Sequence, residues 1–368
     1  MKVGILTFHA AHNFGSMLQA YALQKTVEKT GNICEIINMR PKEQKKLYDW
    51  KIEKESNLIK YWIKKIIFRK KKWQYEKFEE FLKKYLNITE EYNDRKQFEN
   101  SKKEYDIYVS GSDQIWNTKT TDFDIAYFLG FKKEGKRIAY SVSAGSGKNI
   151  EIKKYEEYIR NYSFISVRER SLAKQLKDEF NINVELTLDP TLLLKKEEWD
   201  CLVNLKFESE LPEHYIFFYS LGYGEEEEKI LQYLKKKYNL PVVLPHRIYS
   251  AEGMKGYKVI DECGPEEFIT LVKNSDMVFT TSFHGCIFSI IYHKKLIVYL
   301  PNEGHIDERK ISMLEIAGME RCGIENLLDL KKYEKRNEEI DYDEVEKRLD
   351  KERQKSFQYL EKSLGVIQ

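Results

Sequence analysis

Cysteine is scarce in this sequence: five residues in 368 (34, 201, 263, 286 and 322), odd in number and never in a Cys-x-x-Cys pair. That argues against a disulfide framework or a thiolate metal site and favours a reducing compartment. Long apolar runs are missing too. No stretch of about 18 apolar residues occurs, so no membrane-spanning helix is expected. The opening "MKVGILTFHAAHNFGS" reaches His9, His12 and Asn13 too soon for a signal peptide, and the expected location is the cytoplasm. Net charge is nearly absent, with 62 basic against 60 acidic residues. A balance of +2 excludes neither nucleic acid nor an anionic small ligand, so only local charge is informative. Familiar ligand loops are lacking as well. No GxGxxG follows the first apolar run, and "VSAGSGKN" (142–149) has Val142 for the first glycine of a phosphate loop and Asn149 for its Ser/Thr. "DFD" (122–124) is short enough to arise by chance among 60 acids, and His9 and His12 have no third ligand at metal spacing.

What is present is ample apolar residue, 42% hydrophobic and 13% aromatic, in a chain long enough for two domains. Short apolar runs alternate with amphipathic stretches. Strands are expected at 2–8, 33–38, 105–110, 137–142 and within "SFISVRERS", with helices at 16–30 and 170–180. A strand–loop–helix–strand opening predicts parallel pairing. Pro190 in "LDPTLLL" (188–194) interrupts the pattern, which then restarts: strand 215–221, helix 225–238, strand 241–245, helix 265–274, strand 276–280, helix 284–293, strand 295–300. This predicts an α/β protein of two Rossmann-like domains with parallel sheets, 1–187 and 188–335. A C-terminal segment 336–368 would carry a helix at 341–363 packed back across them.

Residues 41–86 break the rhythm, with 15 Lys/Arg against 7 Asp/Glu and three tryptophans. Ile59, Trp62, Ile63, Ile66 and Ile67 form one apolar stripe with a basic surround. The segment reads as a helical insertion packed on the first domain. Its alternative is a helix at 57–73 making peripheral contact with the inner face of a membrane. No recognised module accompanies the patch, and no nucleic-acid partner is expected.

Small polar clusters recur at the ends of expected strands, where open α/β sheets bind ligands. The first holds Asn13 and Gly15 ahead of Ser16, a candidate helix cap. The second, "VSGSDQIWN" (109–117), holds Ser110, Asp113 and Gln114. The third is "SVRERS" (166–171) with Arg168, and the fourth is "TTSFHG" (280–285) with Ser282, His284 and Gly285. The fifth, "IDERKISMLEIAGMER" (306–321), holds Arg309 and Lys310. Singly each could be a cap or turn; together they predict a ligand site in a cleft between the domains.

The ordered run "NFGSMLQAYALQ", "VSGSDQIWN", "AYSVSAG", "SVRERS", "LDPTLLL", "TTSFHG" and "ERKISMLEIAGMER" resembles the polysaccharide pyruvyl transferase family. That resemblance implies a GT-B-like fold and transfer of the pyruvyl group of phosphoenolpyruvate to a sugar, as a ketal, on a cell-envelope polysaccharide or its lipid-linked precursor. It puts Arg168, His284 and Arg309 at donor-binding positions, with Lys310 close enough to exchange with Arg309. The residue types suit that chemistry. Arginines grip planar oxyanions in bidentate fashion, and a helix N-terminus adds N–H donors at an anion. Ser282 and Gly285 would shape the donor loop. His284 suits the proton donor to the methylene carbon, and Asp113 is the candidate for deprotonating the acceptor hydroxyl. Asn13, Gly15, Ser110 and Gln114 would line the acceptor side. No metal or cofactor is expected; phosphoenolpyruvate enters as a co-substrate. The main alternatives are a GT-B glycosyltransferase using a nucleotide sugar and a non-catalytic envelope-assembly partner.

Overall fold

A computed structural model describes residues 1–48, 58–145, 151–246, 256–301, 307–336 and 339–366. Side chains at 43, 47 and 58–71 lie outside that description, and with them the apolar stripe and its lysines.

The chain forms two compact units. The first comprises Met1–Asp49, Phe78–Leu194 and Asp350–Gln368, the second Trp50–Lys77 and Lys195–Leu349. Each has its own six-stranded parallel sheet. In chain order the first runs β1 (Lys2–Leu6), α1 (Phe14–Lys29), β2 (Ile33–Ile36), α2 (Lys42–Tyr48), α3 (Leu58–Tyr85), α4 (Arg95–Asn100), β3 (Ile107–Ser110), β4 (Lys136–Val142), α5 (Glu156–Ile159), β5 (Phe164–Val167), α6 (Arg170–Phe180) and β6 (Glu185–Leu186). Then come α7 (Lys196–Asp200), α8 (Leu205–Glu208), β7 (Ile216–Tyr219), α9 (Glu225–Tyr238), β8 (Val242–Leu244), β9 (Lys258–Val259), α10 (Pro265–Asn274), β10 (Met277–Thr280), α11 (Phe283–Ile291), β11 (Lys295–Tyr299), α12 (Glu308–Ala317), β12 (Gly323–Ile324), α13 (Leu327–Arg336) and α14 (Tyr342–Ser363).

Strand order is β2-β1-β3-β4-β5-β6 in one sheet and β12-β11-β10-β7-β8-β9 in the other. The central strands are apolar on both faces, as buried parallel strands must be: Ile107, Tyr108 and Val109 in one unit, Ile216, Phe217 and Phe218 in the other. This order fixes where ligands can sit. In the first sheet the winding direction reverses between β1 and β3, in the second between β7 and β10. At such a reversal the loops beyond adjacent strands diverge and leave a crevice at the carboxyl edge.

The compact units differ from the expected division in three places. Residues 58–77 of the basic insertion, expected on the first domain, group with the second unit, where Lys77 Nζ donates to Glu267 Oε1 (2.6 Å). Residues 188–194 belong to the first unit, because "LDPTLLL" is held by polar contacts within it. Tyr140 Oη donates to Leu188 O (3.1 Å), Ser356 Oγ accepts from Leu188 N (2.9 Å), and Arg353 Nε donates to Leu192 O (2.7 Å). The C-terminal segment is divided as well, with α14 residues up to Leu349 assigned to the second unit and those from Asp350 to the first. Among the described residues no helix is long and apolar enough to cross a membrane.

Candidate active site

In the second unit, β10 ends at Thr280 and three hydroxyl side chains make the turn into α11. Thr280 Oγ1 donates to Tyr219 O (2.6 Å) and accepts from Ser282 N (3.0 Å). Thr281 Oγ1 meets Ser220 Oγ (2.8 Å), tying the loops that follow β10 and β7 across the reversal point. Ser282 is the N-cap of α11, its Oγ accepting from Gly285 N (3.4 Å). His284 is therefore the second residue of the helix, 6% exposed, with its ring edge-on to Phe283 (5.2 Å between centroids). The first-turn amides and the positive end of the helix dipole lie at this edge.

Gly285, expected to shape the donor loop, has a packing role: a Cβ there would lie 2.3 Å from Thr280 Oγ1 and 3.1 Å from the Tyr219 ring. Only glycine lets α11 sit this close to the sheet.

The adjacent cations at 309 and 310 have separate places. Lys310 is buried, and its Nζ donates to Thr281 O (2.9 Å) and Tyr299 O (3.3 Å), pinning the ends of β10 and β11 together. Burial pushes its pKa down, while Asp307 pulls it back up. The Arg309 guanidinium lies over the Phe283 ring at 5.2 Å, beside the residue that precedes His284. Its Nε and Nη2 also donate to Asp307 Oδ1 and Oδ2 (2.9 and 3.0 Å). Burial would raise the Asp307 carboxyl, but Arg309 and Lys310 hold it below its ordinary value.

His246, which the sequence reading passed over, stands at the carboxyl end of β8 with its ring edge-on to Tyr219 (5.9 Å). Burial lowers its pKa, and a hydrogen bond with the Ser220 backbone opposes that shift. The signal was available: "VVLPH" is a strand followed by a histidine, the same pattern that singled out the other clusters.

In the first unit, Asn13 caps α1, its Oδ1 accepting from Gly15 N (2.9 Å) and Ser16 N (3.4 Å). The cap is thus Asn13, and Ser16 lies inside the helix, where its Oγ donates to Asp113 Oδ2 (2.6 Å). Asp113 has φ 68, a left-handed conformation that aspartate tolerates better than most residues. Gln19 joins the two loops at the β1/β3 reversal: its Nε2 donates to Thr7 Oγ1 (2.8 Å), and its Oε1 accepts from Ser112 N (3.2 Å). Gln114 is half-buried and accepts from Asn117 Nδ2 (3.2 Å). Ser110, expected to line the acceptor side, is instead fully buried, donating to Tyr127 O (2.6 Å) and accepting from Trp116 Nε1 (3.3 Å).

Arg168 follows β5 and is buried. Its Nη2 reaches Asp189 Oδ2 at 2.5 Å and also donates to Ser112 Oγ. Asp189 also accepts from Thr191 N (2.9 Å). Much of the Arg168 charge is therefore used in joining "SVRERS", "VSGSDQ" and "LDPTLLL" into one block.

A second, half-buried charged group lies beside the β1 loop. Arg40 grips Glu79 in bidentate fashion (3.0 and 3.3 Å), and His12 Nε2 meets Glu79 Oε1 at 3.1 Å. Burial raises the Glu79 carboxyl, but His12 and Arg40 outweigh it and hold the pKa at about 2. The sequence reading dismissed His12 as a metal ligand, and no local spacing could link residues 12, 40 and 79. Among the described residues, no group of three or more His, Cys, Asp or Glu side chains could hold a metal ion.

Within each unit, then, the expected residues converge at one carboxyl edge: Ser282, His284, Gly285, Arg309 and Lys310 in the second, Asn13, Gly15, Asp113 and Arg168 in the first. The family model for polysaccharide pyruvyl transferase matches residues 13–303. The chain belongs to that family. Arg309 and Lys310 lie just beyond the matched residues, whereas Arg168 and His284 lie within them. No curated protein matches the sequence. Among solved structures, the chain is similar to UDP-GlcNAc 2-epimerase from Neisseria meningitidis bound to UDP-GlcNAc, at 13% identity over all of both chains with a TM-score of 0.54. It is also similar to the Methanocaldococcus jannaschii UDP-GlcNAc 2-epimerase in complex with UDP-GlcNAc and UDP. That match has 13% identity, 91% of this chain and 92% of the other covered, and a TM-score of 0.52. At such identities the likeness is one of fold, two Rossmann-like α/β units.

Proposed function

We propose that this pyruvyl transferase takes its pyruvyl group from phosphoenolpyruvate and sets it as a ketal on a sugar of a cell-envelope polysaccharide or its lipid-linked precursor. The observation that carries this reading is His284 in the first turn of α11, at the β7/β10 reversal, with the Arg309 guanidinium over the neighbouring Phe283 ring. An anion at that edge meets backbone N–H groups and a fixed cation, and the imidazole stands in the same turn.

The chemistry follows from the donor. A proton from His284 to the methylene carbon turns it into a methyl group and leaves C2 with oxocarbenium character. One sugar hydroxyl attacks C2 and loses its proton. A second hydroxyl of the same sugar attacks C2 as phosphate departs with its C–O electron pair, and the proton of that hydroxyl passes to the now neutral His284. The products are a cyclic ketal and inorganic phosphate. Arg309 offsets donor charge, and Ser282 fixes the direction of the α11 amides. Arg168 supports the reaction through the loop block it holds. The scheme draws its positive charge from the protein and assigns no step to a metal. Soluble donor chemistry with an acceptor on a lipid carrier would suit a protein working at the inner face of the membrane.

The test is phosphate release and ketal formation with phosphoenolpyruvate in wild type and His284→Gln. Glutamine can keep a hydrogen bond but cannot deliver a proton. General acid–base groups contribute ~10²–10⁴-fold, so kcat should fall on that scale while the melting temperature stays near wild type. Near-normal turnover in the Gln variant would mean that another group supplies the proton.

A further inference from the structure

The two sides of α13 in the second unit divide sharply by chemistry. Leu330 is fully buried, and Leu327 and Tyr333 pack against the same core. The Glu334 side chain, 2% exposed, pairs with Lys295 (3.2 Å) and with Lys237. The opposite side carries Leu328, Lys331, Lys332, Lys335 and Arg336, all exposed. At about 3.6 residues per turn these five positions span roughly 140° of the helix circumference, with Leu328 near the middle and 67% exposed. Asp329, beside this arc, pairs with Lys332 (2.9 Å). No carboxylate among the described residues pairs with Lys331, Lys335 or Arg336. The basic surface continues onto α9, because the Tyr233 ring carries Lys331 at 5.6 Å and Lys237 at 5.8 Å. Lys237 is offset by Glu334 and by Glu339, which lines the same cavity, so the unbalanced charge sits on α13 and the exposed Lys236.

A helix face built only for water looks different. On α14 the cations Lys347, Arg348, Arg353 and Lys355 each meet a carboxylate three or four residues away. A single exposed leucine is ordinary on a protein surface. A leucine centred among four cations, three of them without an acidic partner, is the pattern of a helix face that lies on anionic lipid. The leucine enters the boundary between headgroups and acyl chains, while the long basic side chains lie along it and reach the phosphates. We propose that the outer face of α13, extended by Lys236 of α9, docks this unit on an anionic lipid surface. The four lysines and one arginine favour lipid over nucleic acid. Lysine is a point charge suited to the diffuse field of headgroups, whereas contacts to bases draw on the flat fork of arginine. No donor and no step of the transfer chemistry enters this inference, and it concerns a different surface from the stripe at 59–67.

The test floats the full-length protein with vesicles of phosphatidylcholine alone, or of two parts phosphatidylcholine to one of phosphatidylglycerol. Only the anionic vesicles should carry the protein, and binding should be lost in about 1 M salt, where the screening length is about 3 Å. Each cation near such a surface strengthens binding about fivefold, so the combined Lys331→Gln, Lys332→Gln and Lys335→Gln variant should lower the partition coefficient ~10²-fold. Leu328→Ser should lower it about tenfold. The corresponding triple arginine variant should bind as wild type does. Melting temperatures should stay near wild type throughout, since these side chains are exposed. Phosphate release from phosphoenolpyruvate with a soluble sugar should also be unchanged, so docking and the proposed chemistry are read separately. Equal binding to neutral vesicles overturns the proposal. So does binding that survives the triple glutamine variant, which would place the contact elsewhere, the 59–67 stripe included. RNA binding abolished in that variant, with anionic vesicles floating free of protein, would assign the face to nucleic acid instead. Should the glutamine variant fail to fold, Leu328→Ser and the dependence of the wild type on lipid charge still decide.

Discussion

At the residue scale, the arginines and lysine are the instructive set, because residue type alone made them equivalent candidates for an anion. Their neighbours separate them. Lys310 satisfies two backbone carbonyls, so Lys310→Met should lower the melting temperature and change KM for phosphoenolpyruvate little. Arg309→Ala should raise KM strongly, and because it also breaks the Arg309–Asp307 pair its KM must be measured on protein shown to be folded. If both variants raised KM alike, the division of labour would be wrong. Arg168 belongs with the lysine more than with Arg309. Breaking a buried ion pair by removing one partner costs about 3–5 kcal/mol. Arg168→Ala leaves Asp189, whose side chain is fully buried, without its counterion. Any loss of donor affinity in that variant must therefore be measured on protein first shown to be folded.

At the element scale, most of the alternation was legible, and the reason is periodicity joined to clear ends. Helices over 170–180, 225–238 and 265–274 match α6, α9 and α10, each with a 3.6-residue apolar stripe. They begin or end at Gly224, Gly264, Asn181 or Asn239, residues that suit caps and left-handed ends. The two-residue edge strands β6, β9 and β12 were not legible, since two residues carry no alternation. Nor was the Arg40–Glu79–His12 group, assembled from a loop, a strand exit and a helix far apart in sequence. The α10–β10–α11 region shows that a located motif can carry a packing demand that its sequence does not reveal. "TTSFHG" lies at the expected strand-to-helix turn, but its glycine answers to helix–sheet packing. With Thr280 Oγ1 only 2.3 Å from where a Cβ would stand, Gly285→Ala must displace Thr280 or lift α11. Overpacking of this kind costs about 1–3 kcal/mol. The thermal midpoint should drop accordingly, and kcat should fall because the His284 turn moves with the helix. A Gly285→Ala protein with wild-type stability would show that the turn has slack.

At the scale of the whole molecule, the question is which ligand two parallel-sheet units of this kind hold, since the same fold serves enzymes bound to nucleotide sugars. Fold alone cannot decide, so the decision falls to the charge at the second unit's edge. A nucleotide sugar needs a surface for a base and partners for a ribose, and its charge is spread along a diphosphate. Phosphoenolpyruvate is small and carries phosphate and carboxylate close together, which suits one helix terminus, one arginine and one imidazole. A ligand that binds only the folded state stabilises it by RT ln(1 + [L]/Kd), about 2.7 kcal/mol at a hundredfold excess over Kd. Phosphoenolpyruvate should therefore raise the melting temperature by several degrees, and UDP-GlcNAc or UDP should leave it unchanged. Hydrogen exchange should locate the effect, with slowed amides at 281–285 in the presence of phosphoenolpyruvate and no comparable change under UDP. The shift should shrink in Arg309→Ala, because that guanidinium stands beside the turn that would hold the donor. Stabilisation by UDP-GlcNAc without any by phosphoenolpyruvate would move the chain to nucleotide-sugar chemistry, whatever its family resemblance to pyruvyl transferases.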